Sequence, residues 1–131
     1  MTRGLRNNNP LNIRHSKSPW RGLSAIQSDR AFCSFIAPQW GYRAALITLR
    51  NYQSKYGLHT VRAMISRWAP PSENNTQAYI KEVCRRSGLD ADKAVSLSNK
   101  DTAVRLLAAM SWVENGQDAV ISDIKAGFDL A

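Results

Sequence analysis

Histidine and cysteine carry much of enzyme chemistry, and this chain has two of each. His15 and His59 fall in expected loops, at no metal-ligand spacing to each other or to Cys33 and Cys84, so no metal site is expected. The two cysteines lie on apolar segments, where a thiol usually serves as a small buried hydrophobe. There is no G-x-S-x-G elbow, phosphate-cradling loop or dinucleotide fingerprint, and no cofactor is implied. Carboxylate chemistry is what remains. Glu114 is the most unusually placed acid, in Ser111-Trp112-Val113-Glu114-Asn115-Gly116, directly after the most apolar helical stretch. A negative charge there opposes the helix dipole by a few tenths of a kcal/mol, on the order of the usual effect, and apolar neighbours disfavour ionisation. A carboxyl that keeps its proton is what a general acid needs to protonate a glycosidic oxygen. Glu73 is the second candidate carboxyl, although its Pro-Pro-Ser-Glu-Asn-Asn-Thr setting better suits a loop or support of the following helix's N-terminus. Asp118, past the helix-breaking Gly116, reads as solvated.

The elements that must hold these acids are mostly helical. Pro38 opens an amphipathic helix in which Ala45, Leu49, Tyr52 and Tyr56 recur at steps of four, three and four before Gly57. Thr60 can cap a second, carrying Val61, Met64, Ile65 and Trp68 until Pro70 and Pro71 stop it. A third starts at Asn75 or Thr76, buries Tyr79, Ile80, Val83 and Cys84, and ends at Gly88. Residues 90–96 read as a short helical turn, 98–113 as the most apolar helix, ended by Gly116, and Ser122 starts a final segment with Ile124 and Phe128. The first 30 residues, rich in Asn, Ser, Arg and Gly, read as loops with short extended pieces at 12–14 and 31–36, a small N-terminal β-hairpin. The expected fold is mainly α (α+β), one domain spanning residues 1–131.

Composition removes several classes. With 131 residues and 44% apolar positions the chain can bury a core without staples, and two cysteines are too few for a disulfide framework. No run approaches the ~20 apolar residues of a membrane span, and the opening MTRGLRNNNPLNIR lacks the apolar core of a signal peptide. The net charge of +8 is uneven: residues 1–89 carry 14 basic and 3 acidic side chains, while 90–131 carry 4 and 7. Such a field attracts polyanions: nucleic acid, anionic lipid or the acidic polymers of a bacterial envelope. The cations are scattered and no nucleic-acid-binding signature occurs, which disfavours nucleic acid.

Three stretches carry a resemblance. The Glu114-Asn115-Gly116 ending resembles that of the catalytic helix of the lysozyme-like superfamily. Arg6-Asn7-Asn8-Asn9-Pro10-Leu11-Asn12-Ile13-Arg14, with Trp20-Arg21-Gly22 and Phe32-Cys33-Ser34-Phe35, is similar to the Asn-Asn loop region of autolysin-type glucosaminidases and their phage relatives. Trp68-Ala69-Pro70, followed by the Tyr79-bearing helix, resembles their Tyr-Ala-Pro stretch. In those relatives the glutamate helix precedes the Asn-Asn loop, so here the order is circularly permuted, which close termini permit. The resemblance implies a peptidoglycan glycosidase (muramidase, glucosaminidase or lytic transglycosylase, of phage endolysin kind) with Glu114 as general acid and Glu73 as second choice. Asn8, Asn9, Asn12, Arg14, Trp20 and Tyr79 would bind the glycan. The expected partners are peptidoglycan strands and the anionic envelope, met by a monomer made in the cytoplasm and delivered to the periplasm or wall by a virion, helper pore or secretion apparatus. Two rivals stay open: a non-catalytic virion protein that keeps the fold as a binding module, and a basic nucleic-acid-binding domain.

Overall fold

Side-chain caps mark where the helices begin. Thr60, Asn75 and Asn99 each accept a hydrogen bond from the backbone N–H three residues on, at Ala63, Ala78 and Thr102, satisfying a donor that the first helical turn leaves free. A computed structural model describing residues 1–131 contains α1 (Arg3–Arg6), α2 (Pro38–Tyr56), α3 (Val61–Trp68), α4 (Thr76–Ser87), α5 (Lys100–Asn115) and α6 (Ile121–Leu130). The protein is therefore mainly helical. None of its helices is long and apolar enough to cross a membrane.

α5 is the central element. Ala103, Val104, Leu106, Leu107, Ala109 and Met110 are all buried, because α4 and α6 pack on it and α2 also touches it; a helix apolar on most of its circumference belongs in an interior. α6 lies against α2 at close range. A Cβ on Gly127 would come within 2.8 Å of the Gln39 carbonyl oxygen and 2.9 Å of Tyr42 Cβ, so only glycine permits this approach. One contiguous cluster of 25 buried apolar residues joins these helices to Leu11, Ile13, Cys33 and Phe35 of the N-terminal region.

Three local expectations are corrected. The expected β-hairpin is reduced to isolated bridges: the extended pieces 12–14 and 31–36 meet in the antiparallel Arg14–Phe32 bridge, Leu23 adds a second with Phe35, and no continuous strand forms. Side chains interrupt any longer ladder, since Asn9, Asn8 and Gln27 take up the Cys33, Phe35 and Ser34 carbonyls. Residues 90–96 form no helix. The Asp90 carboxylate accepts from the Asp92 N–H, a turn that competes with helix formation, and Val95 then donates to the His59 carbonyl beside the Thr60–Ala94 bridge. Third, α1 is a single helical turn that the Asn-rich opening did not announce, capped by Thr2. The helix expected over 98–113 runs from Lys100 to Asn115, which brings Glu114 into its last turn.

Candidate active site

The N-terminal loop, the end of α2, the end of α3 and the end of α5 surround a cleft of about 720 Å³. Asn12, Arg14, Trp20, Glu73 and Glu114 all line it. Residues 102 positions apart are thus brought into one site: Asn12 Nδ2 donates to Glu114 Oε1 at 2.9 Å.

The local backbone explains why Asn12 reaches the acid. It is held at φ 54°, a left-handed conformation that asparagine tolerates better than most residues. Gly4 leaves the space: a Cβ there would lie 2.8 Å from Asn12 Oδ1 and 3.3 Å from Asn115 Oδ1. Asn115, next to the acid, fastens the same loop to the end of α5. Its amide donates to the Pro10 carbonyl at 2.8 Å and the Ser111 carbonyl at 2.9 Å, while its oxygen accepts from the Thr2 hydroxyl at 2.7 Å. Gly116 then turns the chain away at φ 67°, where a Cβ would be strained.

Asn8, Asn9 and Tyr79 depart from the expectation that they bind substrate, because none of them lines the cleft. Asn9 is fully buried, its amide donating to the Ile13 and Cys33 carbonyls and its oxygen accepting from the Ile13 N–H. Asn8, at φ 51°, donates to the Phe35 carbonyl. Both shape the loop that presents Asn12. Tyr79 is 6% exposed, and its hydroxyl has no hydrogen-bond partner. Burial, and next the nearby Glu114 charge, push that phenol well above its ordinary pKa, so it remains protonated beside the acid.

Glu73 lies exposed in the turn that leads to α4. Trp20 is half-buried with its indole N–H unpartnered, and it packs against the core while facing the cleft. No residue pattern singled out Asn51, Tyr52, Tyr56 and Arg67, which also line the cleft. Tyr52 and Tyr56 share the apolar stripe of α2, and a stripe that runs beyond the core at a helix end is the one available hint. Tyr52 meets Trp68 edge-on at 6.4 Å, and the Arg67 guanidinium stacks 3.9 Å from the Tyr56 ring centre.

The loop is braced behind the cleft by Asp29. Its carboxylate accepts from Arg3 at 2.6 and 2.7 Å, from Asn7 at 3.0 Å and from the Ala31 and Phe32 N–H groups. The Arg3 hydrogen bonds, then those from the backbone, hold this carboxyl far below its usual range.

Over 131 aligned residues the chain is 39% identical to Protein P5 of Pseudoalteromonas phage PM2, covering 97% of this chain and 80% of that protein. The chain belongs to the Protein P5 family. No family model matches the sequence. In this chain Asp118 is exposed and borders a separate groove with Trp112, over which Arg86 stacks; it does not line the Glu114 cleft.

Proposed function

We propose that this protein is a phage peptidoglycan glycosidase with a permuted lysozyme-like arrangement, in which Glu114 is the general acid. The observation that carries this reading is the Asn12–Glu114 hydrogen bond within a cleft large enough for several sugar rings. By donating to Oε1, the Asn12 amide orients the Glu114 carboxyl, an arrangement in which Oε2 is the oxygen that can carry the transferable proton. A neutral carboxyl so oriented can protonate the leaving glycosidic oxygen. Trp20, Tyr52, Tyr56 and Trp68 offer the aromatic surface on which apolar sugar faces pack.

After bond cleavage Glu114 is a carboxylate and can act as base, either on water or on a hydroxyl of the sugar itself. Glu73 is the other carboxyl of the cleft, available as a partner if the enzyme uses the two-carboxylate scheme.

Mass analysis of purified peptidoglycan after incubation with the protein tests this directly. Soluble glycan fragments with new reducing or anhydro ends are expected. Intact strands after prolonged incubation would overturn the reading and favour the non-catalytic alternative.

A further inference from the structure

All six side-chain ion pairs lie outside the cleft, at Arg3, Arg62, Arg85, Arg86, Lys100 and Arg105. The three cations that line the cleft, Arg14, Lys55 and Arg67, are exposed and form no ion pair. They come from different elements: the N-terminal loop, the last turn of α2 and the last turn of α3. Two are held in place by rings. Arg14 lies 5.1 Å from the Phe32 ring centre, and Arg67 lies 3.9 and 5.3 Å from those of Tyr56 and Tyr52. Stacking presents a guanidinium with its N–H fork free for a planar anion and reduces the ordering cost of binding one. Against them stand Glu73 and Glu114, of which the latter must be neutral to act as an acid.

We propose that the cleft selects glycan bearing free carboxylates over neutral glycan, with Arg14, Lys55 and Arg67 as the residues that read the charge. This rests on the glycosidase reading of the same cleft and names what that cleft prefers. Guanidinium pairs match a carboxylate in two parallel hydrogen bonds, and Lys55 adds a point charge.

The test uses soluble peptidoglycan fragments with free stem-peptide carboxylates, and the same fragments after conversion of those carboxyls to amides. Binding is measured by calorimetry on Glu114→Gln, which prevents turnover. Amidation is expected to weaken binding about tenfold, the size expected for three solvent-screened charge contacts. Adding Arg14→Gln, Lys55→Gln and Arg67→Gln should make the two forms bind equally. Lys55→Gln alone, at an exposed position without side-chain partners, should retain the wild-type melt and lose part of the preference. Equal binding of both forms, or a preference that survives the triple substitution, overturns the proposal. A preference in binding without cleavage of either form by the wild type would sink the glycosidase reading alone; cleavage of both forms without a preference would sink the charge reading alone.

Discussion

Asn12 and Glu114 form the contact on which the proposed chemistry depends, and Asn12→Gly isolates it. Glycine accepts φ 54° without strain, so the substitution removes the amide and keeps the loop. A hydrogen bond to an ionisable group contributes about 1.5 kcal/mol or more, so kcat on peptidoglycan should fall at least about tenfold, with a smaller change in KM. Unchanged kcat would show that Glu114 does not need this orientation. Sequence reading brought Asn8, Asn9 and Asn12 to the site as a group, and only Asn12 faces it. Residue type could not separate them: the backbone turns at Asn8 and Asn12, and the buried position of Asn9, decide which amide points into the cleft.

α5 carries Glu114 and the N-terminal loop carries Asn12, so the proposed site depends on both elements being in place. Asn99→Ala removes the α5 cap and should cost about 1 kcal/mol, lowering Tm by roughly 4 °C in a domain of this size. A melt identical to wild type would mean that tertiary packing alone fixes the start of this helix. The loop depends on Asp29. Its folded-state pKa is depressed by Arg3 and by backbone N–H groups, so its contribution is complete above the unfolded value of about 4 and is lost progressively as pH falls below it. Melts recorded between pH 7 and pH 2 should show a decline below pH 4 in the wild type that is shallower in Asp29→Asn, which should also be less stable at pH 7. Parallel profiles would exclude Asp29 as the source. Caps and stops made most helices legible in advance, Thr60 and Gly88 being the clearest. The N-terminal hairpin and the turn at 90–96 misled because Asn, Gln and Asp side chains take backbone partners there that a regular strand or helix would need.

For the molecule as a whole, charge is the property the sequence displays most openly. Residues 1–89 hold 14 of the 18 basic side chains and 3 of the 10 acidic ones, so attraction to an anionic envelope should be screened by salt. Retention on intact cell walls should fall steadily as NaCl rises from about 20 mM to about 300 mM, across which the Debye length shrinks severalfold. Retention independent of salt would assign wall binding to uncharged contacts instead. The joining of chain start to α5 end could be expected in advance only from the resemblance and the motif order it implies. What locks it, the Thr2–Asn115–Pro10 set of hydrogen bonds, involves residues without any distinguishing pattern.

The most direct test of the central claim is turbidity clearing of purified peptidoglycan by the wild type and by Glu114→Gln at equal concentration, with thermal melts of both. Glutamine keeps a carbonyl to accept from Asn12, so the melt should change by less than about 1 kcal/mol in stability. It cannot deliver a proton, and clearing should fall by a factor of ~10² to 10⁴. Clearing by Glu114→Gln at the wild-type rate, with loss in Glu73→Gln instead, would contradict the assignment of the acid; no clearing by the wild type would contradict the proposed activity.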